Sequence, residues 1–417
     1  MMYNKILISM LILISINYSN GWNYSADILE KKIENNRNVR IFRSSDIDKN
    51  QVIITKDTIS IFTQQAKQYL DNKELHLTGP VTMLNGKDSL ICDNMIFWYD
   101  IDSLQAFGNV NFQFKQNTLE TDSMIYVSTD GFRGYSFEAY NESKFYNNNY
   151  SIIADDITYN DYTQKMNLIG ESMVNTKEQG ISGTNINLVF RDSLIQNIMV
   201  QSNGYIFNNH QAIATNLNYQ LFKDEMRGNK INVSFNNKNL EHIFITGMAE
   251  SIYYVVNDSS QLVGFNKSTG DTISLHYIDK NLDNIYISGD ARGIFHPEIG
   301  RTKIDSIIEY KASKIDYYIN KQLTNLQNNV EIIYQTTQLT SDYVDVNWEN
   351  NTLYASSNDE TPAQISSEGQ KPISGANLEF DLINKKGIIK LGKTIVGDGF
   401  YKSSTIFRQE PNIYHME

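Results

Sequence analysis

Residue types that commonly carry chemistry are few and scattered in this chain. Cys92 is the one cysteine; it occupies an apolar strand position with no histidine nearby in sequence, which predicts a small buried residue. Phosphate-binding glycine loops, a G-x-S-x-G elbow and paired zinc motifs do not occur. The histidines lack metal-ligand spacing, and we interpret them as surface or strand-face residues: His76, His210, His242, His276, His296 and His415. The sequence therefore predicts no enzyme, no metal site and no cofactor.

One segment has a partial calcium-loop pattern. Asp46, Asp48, Asn50 and Asp57 stand at loop positions one, three, five and twelve. The loop lacks the glycine at position six and the glutamate at position twelve, and the sequence around it does not predict flanking helices. A turn before a strand is the favoured interpretation.

The charge and the N-terminus bear on compartment and partners. A net charge of −12 without a lysine/arginine stripe disfavours binding to nucleic acid. Lys5 precedes an apolar run from Ile6 to Leu13, and the small residues Ser19 and Gly21 follow. This pattern predicts a signal peptide, residues 1–21, and export of the mature chain. The alternative is an uncleaved anchor, although the run of about 11 residues is shorter than the ~20 that a spanning helix needs.

An internal repeat dominates the rest of the sequence. An apolar residue, a spacer, a small residue and a polar pivot precede three apolar or aromatic residues at alternate positions, as in I-S-G-T-N-I-N-L-V-F from Ile181 to Phe190. Such alternation predicts half-buried strands. The pattern recurs about every 32 residues. The pivots are Asp57, Asp93, Asp122, Asp155, Thr184, Thr215, Asn229, Asp271, Ser313, Asp342 and Ala376.

The alternation changes phase at each pivot. Ile181 and Gly183 are odd-numbered, whereas Ile186, Leu188 and Phe190 are even-numbered. Because side chains alternate strictly across a sheet, a phase change of one residue requires a bulge or a corner. The sequence therefore predicts that the sheet bends at each pivot.

A second strand motif lies between the pivots. It has the pattern apolar-x-apolar-x-Gly-x-(Val or Ala)-x-apolar, and glycine inside a strand marks a kink or a close backbone approach. The motif predicts a second line of bends at Gly79, Gly108, Gly170, Gly247 and Gly289. Short polar turns between the motifs leave no room for crossover helices, so successive strands should be antiparallel. We expect an elongated open antiparallel sheet of about eleven two-strand repeats with an apolar interior.

Three segments carry a resemblance to a known family. They are L-I-C-D-N-M-I-F-W-Y (Leu90 to Tyr99), A-F-G-N-V-N-F (Ala106 to Phe112) and I-F-I-T-G-M-A-E-S-I-Y-Y (Ile243 to Tyr254). With their order and spacing they resemble the OstA-like (LptA) family of lipopolysaccharide-transport proteins over residues 50–390. The resemblance implies an open, V-shaped β-jellyroll, also called a β-taco, that holds acyl chains. It also implies a periplasmic location, possible association with the outer membrane, and end-to-end joining to similar jellyrolls by strand addition.

The chain is about twice as long as short members of that family, and it is less regular after Gly300. We divide it into a signal peptide (1–21), an N-terminal polar segment with the first strand (22–50), an OstA-like jellyroll (51–300), a continuation or second module (301–400) and a C-terminal tail (401–417).

The expected function is to shield the acyl chains of lipopolysaccharide or a related glycolipid between the inner and outer membranes. Self-association of the chain is left open. The alternative is a structural β-repeat scaffold or adhesin without lipid. The inward face of the predicted groove consists of Val110, Phe112, Ile186, Leu188, Phe190, Leu217, Tyr219, Ile231, Val233, Phe235, Ile243, Ile245, Ile273, Leu275 and Tyr277.

Overall fold

The predicted all-β class is confirmed. The computed structural model describes residues 14–17, 21–46, 52–128, 134–177, 179–192, 194–213, 219–236, 239–257, 259–279, 281–298, 300–357, 362–368, 370–396, 398–410 and 413–417. These residues form 31 strands and one short 3-10 helix, Ile319–Lys321. In the described ranges neighbouring strands pair antiparallel, and no helix there has the length and apolarity that crossing a membrane requires.

The chain divides into an N-terminal unit, Met1–Lys177, and a C-terminal unit, Glu178–Glu417. The predicted boundaries at 50, 300 and 400 stay predictions. The signal peptide also stays a prediction, because residues 1–13 and 18–20 lie outside the described ranges. Residues 14–17 form a strand that pairs with the strand Asn23–Ala26.

The strands of the N-terminal unit lengthen after the first seven. They are β1 (Ile14–Asn17), β2 (Asn23–Ala26), β3 (Ile28–Glu34), β4 (Arg37–Arg43), β5 (Val52–Lys56), β6 (Ile59–Thr63), β7 (Gln65–Tyr69), β8 (Glu74–Asn85), β9 (Asp88–Trp98), β10 (Ser103–Phe114), β11 (Asn117–Ser128), β12 (Tyr135–Tyr146), β13 (Ser151–Asn160) and β14 (Lys165–Asn175).

The strands of the C-terminal unit vary in length from 3 to 20 residues. Its strands are β15 (Gln179–Arg191), β16 (Leu194–Ile213), β17 (Tyr219–Gly228), β18 (Lys230–Asn236), β19 (Asn239–Val256), β20 (Leu262–Ile278), β21 (Asn281–Pro297), β22 (Ile308–Tyr318), β23 (Leu323–Tyr334), β24 (Thr337–Asn347), β25 (Thr352–Ser356), β26 (Ala363–Ser367), β27 (Ile373–Gly375), β28 (Asn377–Asp381), β29 (Gly387–Val396), β30 (Gly399–Glu410) and β31 (Ile413–Met416).

The predicted bends at the pivots are confirmed in both units. On β9, Leu90 and Cys92 are buried before Asp93, and Met95 and Phe97 are buried after it, so the buried set changes parity at the pivot. The ladder to the next strand shifts register at the same place. Register shifts lie opposite Asp93, Asp122, Asp155, Asp271, Ser313 and Asp342. Asn229 and Ala376 each stand at a bend between two short strands.

Four of the five glycines of the second motif pack against pivot residues, and Gly79 packs against Gln64. All five have positive φ, between 72° and 88°. A Cβ on Gly170 would lie 2.5 Å from Cγ of Asp155, and a Cβ on Gly247 would lie 3.0 Å from Cβ of Asn229. Glycine is therefore required at these bulges for two reasons, the left-handed backbone and the close approach of the pivot side chain.

Two bulged strands without the motif glycine, β12 and β23, have asparagine in its place. β12 makes its bulge with Asn141 and Glu142, at φ 67° and 50°, and β23 makes its bulge with Asn328 and Asn329, at φ 62° and 55°. Asparagine tolerates the left-handed region better than other residues with a side chain. Asparagine at the glycine position of the motif was the sequence signal for these two strands.

The Asp57 pivot is wrong, because Asp57 has a φ of 50° in the turn between β5 and β6, and the side chain against Gly79 belongs to Gln64. The Thr215 pivot lies outside the described residues. In the segment with partial calcium-loop spacing, Asp48 and Asn50 also lie outside them.

Cys92 is buried, and burial raises the pKa of its thiol to about 12. Because the thiolate is the reactive form, we expect the folded protein to resist iodoacetamide at neutral pH and to be alkylated once unfolded in urea. Intact-mass measurement with and without urea tests this. Rapid alkylation of the folded protein would contradict the burial of Cys92.

Candidate functional site

The bulges divide the long strands β8 to β14 of the N-terminal unit into two arms. The first arm comprises residues 74–78, 94–98, 103–107, 123–128, 135–140, 156–160 and 165–169, and the second arm comprises residues 81–85, 88–92, 110–114, 117–121, 143–146, 151–154 and 171–175. Each arm keeps its own antiparallel ladder.

Aromatic side chains of the two arms contact each other. The ring centroids of Phe112 and Tyr126 are 5.9 Å apart, and those of Phe114 and Tyr135 are 5.7 Å apart. Phe137 lies 6.4 Å from Phe145 in the same way. In each pair one residue belongs to each arm, so the arms fold toward each other and their inward faces form the core of this unit.

A cavity of about 80 Å³ remains between the arms. Its lining comes from both arms and includes polar residues next to the turn between β8 and β9. The lining residues are Met83, Asn85, Asp88, Ser89, Leu90, Leu104, Phe112, Met124 and Tyr126. Sites for organic ligands usually enclose about 300 Å³ or more. An acyl chain therefore enters this interior only if the arms separate or the aromatic side chains move.

Polar contacts join the free margins of the arms. Lys115, at the end of the second arm, forms an ion pair of 3.3 Å with Asp161, at the end of the first arm. Its ammonium group also lies 5.3 Å from the ring centroid of Tyr135, and its backbone N–H donates to Asp88. Exposed ion pairs contribute about 0–1 kcal/mol. The aromatic contacts therefore dominate the closure of the arms.

Tyrosines near this margin are held neutral. Burial raises the pKa of Tyr150 to about 12. Burial also raises the pKa values of Tyr126, Tyr135 and Tyr159, and the carboxylate of Asp161 adds to the rise at each of them. The interior between the arms therefore disfavours negative charge.

These tyrosines predict alkaline destabilisation of the N-terminal unit. An unfolded tyrosine titrates near pH 10, and the folded-state pKa values are higher, so the folded state favours the neutral phenols. The contribution of these tyrosines to stability should be constant below about pH 10 and should be lost as the pH rises toward about 12. Urea unfolding monitored across this range tests the expectation. A Tyr150→Phe variant should lose less stability than the wild type, and equal losses would contradict the assignment.

In the C-terminal unit, strand register aligns buried side chains into two rows that cross the strands from β15 to β30. The first row is aliphatic throughout: Ile186, Val200, Ile231, Ile245, Ile273, Ile287, Ile315, Leu326, Val344, Ala355, Leu378, Ile389 and Ile406. The second row runs beside it: Leu188, Ile198, Val233, Ile243, Leu275, Ile285, Tyr317, Thr324, Val346, Leu353, Phe380, Gly387 and Arg408.

The N-terminal unit contains a similar row, which begins on β7 and continues through the first arm. Register joins Ala66, Leu77, Met95, Ala106, Met124, Ala139, Ile157 and Leu168, all buried. Directly opposed residues on one sheet face are in side-chain contact. Each unit therefore has a continuous apolar face made of equivalent positions in successive strands.

Most residues of the predicted groove lie on these faces, although an open groove is not shown. Buried are Val110, Ile186, Leu188, Phe190, Ile231, Val233, Ile243, Ile245, Ile273 and Leu275. Half-buried are Phe112, Phe235 and Tyr277. Tyr219 begins β17, its side chain is outside the description, and Leu217 lies outside the described residues. Their lipid contact stays a prediction.

The interior of the C-terminal unit also holds a polar cluster, which the sequence did not predict. The Tyr310 hydroxyl lies 2.6 Å from Asn266 Oδ1, to which it donates, and 2.8 Å from the Tyr317 hydroxyl. The Tyr317 hydroxyl is in turn 3.2 Å from Ser268. Asn266 and Ser268 at alternate positions before the Asp271 pivot were the available signal. Buried hydroxyls are tolerated here because they bond each other.

Comparisons with known proteins are sparse. No family model matches the chain, and no curated protein matches it. Among solved structures, the chain is similar to LptH from Pseudomonas aeruginosa, described as the LptA homologous periplasmic component of the conserved lipopolysaccharide transport device. The match has 14% sequence identity and a TM-score of 0.26, and it covers 32% of this chain and 82% of that chain.

Proposed function

We propose that this protein is a non-enzymatic carrier that shields the acyl chains of lipopolysaccharide or a related glycolipid between the inner and outer membranes. The observation that carries the proposal is the pair of buried rows in the C-terminal unit. Successive strands contribute one residue to each row, and most residues of both rows are apolar. Acyl chains need an apolar surface without directional groups, and each buried methylene contributes about 0.8 kcal/mol.

The proposed carrier acts in the periplasm after removal of its signal peptide, and similar jellyrolls add to its sheet ends. Unpaired strand edges support the addition of similar jellyrolls. In the described ranges β31 pairs with β30 alone and β3 pairs with β4 alone. Unpaired strand edges present backbone donors and acceptors to a partner strand. The partners would be other jellyroll proteins of the transport type or further copies of this chain.

A structural scaffold without lipid is the second candidate. The observation that favours it is the closed interior, because the first row is at most 1% exposed and the cavity between the arms holds about 80 Å³. A closed apolar core of this kind is sufficient for a repeat protein whose only role is mechanical.

The two candidates differ in whether the protein carries lipid within the cell envelope. The full-length protein, purified from the envelope without detergent, should contain bound glycolipid when its organic extract is analysed by mass spectrometry. Depletion of the protein in cells should reduce delivery of lipopolysaccharide to the surface. A lipid-free extract together with normal delivery after depletion would reject the carrier and leave the scaffold.

A further inference from the structure

The second row of the C-terminal unit ends on a charged residue. Arg408 pairs with Gly387 on β29 and with Tyr414 on β31, and its side chain lies on the same inward face as the aliphatic residues of the row. It is 1% exposed. A guanidinium group therefore stands, out of contact with water, at the end of an apolar face.

Hydrogen bonds satisfy only some of the N–H donors of this guanidinium group. Its Nη2 donates to Ser367 Oγ at 2.8 Å and to Thr337 Oγ1 at 3.1 Å, and the Tyr414 side chain is a further hydrogen-bonding neighbour. Among the described residues its Nε and Nη1 have no hydrogen-bond partner. The Phe380 ring lies 5.2 Å from Cζ. Among the described residues no carboxylate forms an ion pair with Arg408.

Burial without a counter-charge is costly. An isolated buried cation loses its hydration, and neutral hydroxyls restore only part of that energy. Replacing a buried charge with an apolar residue of similar volume is often neutral or stabilising. Arg408 is therefore poorly explained as a structural residue, whereas a bound anion would satisfy both its charge and its free N–H groups.

The strands around Arg408 are basic in an acidic protein. Residues 385–410 contain six basic residues and two acidic ones, Asp398 and Glu410, in a chain of net charge −12. The other charged residues in that segment are Lys385, Lys386, Lys390, Lys393, Lys402 and Arg408. Lys385 is paired with Asp305 at 3.0 Å. Concentrated positive charge raises the local concentration of anions and steers them to this end of the unit.

We propose that Arg408 binds the phosphate group of an amphiphile whose acyl chains lie along the two rows of the C-terminal unit. The inference rests on the proposed lipid carriage and adds recognition of a headgroup. Access is by way of β31, a four-residue strand that pairs with β30 alone in the described ranges and has Tyr414 opposite Arg408 in the ladder. Arginine suits this task because its charge-assisted bonds to phosphate are strong and its charge is permanent.

Calorimetric titration of the full-length protein with four probes tests this site. The probes are dihexanoyl phosphatidic acid, dihexanoylglycerol, dihexanoyl phosphatidylcholine and inorganic phosphate, each below its aggregation concentration. The wild type should bind the phosphatidic acid most tightly. Arg408→Met should lose roughly tenfold or more of that affinity and keep its affinity for dihexanoylglycerol. Arg292→Met, at an exposed arginine paired with Asp290, is the control for loss of one positive charge.

The outcomes separate this inference from the proposed function. Equal affinity of wild type and Arg408→Met for phosphatidic acid, with retained binding of dihexanoylglycerol, would overturn the phosphate site and leave lipid carriage intact. Binding of inorganic phosphate as tight as that of the lipid would overturn the coupling to acyl chains. No binding of any acylated probe would overturn lipid carriage itself. A melting temperature of Arg408→Met at or above that of the wild type would support the site, and a large decrease would assign Arg408 to structure.

Discussion

Substitution of Gly289 by alanine is expected to lower the free energy of unfolding of the C-terminal unit by about 3 kcal/mol. Gly289 has a φ of +79°, which is unfavourable for a residue with a side chain. The new Cβ would also lie 2.5 Å from Cβ of Asp271, an atom fixed by the neighbouring strand. Urea unfolding and hydrogen exchange of peptides from β20 and β21 measure the loss.

Two further variants separate backbone strain from steric overlap. Gly300 has a similar φ of +82°, and a Cβ there would meet nothing within 4 Å, so Gly300→Ala should lose only about 1 kcal/mol. The double variant Gly289→Ala/Asp271→Gly should recover part of the stability that Gly289→Ala loses. Equal losses for the two alanine variants, without recovery in the double variant, would contradict the pivot–glycine contact.

Truncation within the first row should have the second large effect. Ile245 is 0% exposed, and Ile245→Ala removes buried methylenes and leaves a cavity, at a cost of about 2–5 kcal/mol. Phe244, the adjacent residue on β19, is 37% exposed and points to the opposite face of the sheet. Phe244→Ala should cost less than about 1 kcal/mol although it removes a larger side chain. Thermal and urea unfolding of both variants provide the comparison.

A larger loss for Phe244→Ala than for Ile245→Ala would show that the inward and outward faces of β19 are assigned in reverse. Equal losses would mean that the row is not the core of this unit.

Local sequence was sufficient to predict the bends of the sheet. A bulge accounts for the change of parity at Asp93, and a bulge also requires the glycine at position 108. The alternation of apolar residues reveals such a bulge without any long-range information. Asp57 was misassigned because a hairpin turn and a bulge favour the same residue types. Asn141 and Asn328 were missed because asparagine replaced the glycine on which the motif depended.

Features that depend on contacts between distant strands could not be predicted in the same way. Alternation assigns Phe114 to the inward face of its strand, but its contact with Tyr135 depends on how far the arms fold toward each other. Aromatic rings occupy the space between the arms of the N-terminal unit, and the open groove stays a prediction. Arg408 is two residues after Ile406, so both side chains lie on the inward face of β30. A charged residue at an inward-facing position was the available sequence signal for the end of the second row.

Site-specific photo-crosslinking tests the central claim, that the inward face binds acyl chains. Phe235 on β18 is half-buried and follows Ile231 and Val233 at inward parity, while Phe244 on the adjacent β19 is exposed and points outward. Benzoylphenylalanine replaces a phenylalanine at either position with little change in the side-chain type. In intact cells we expect glycolipid to be captured from position 235 and not from position 244. Capture from position 244 alone, or from neither position, would contradict the account.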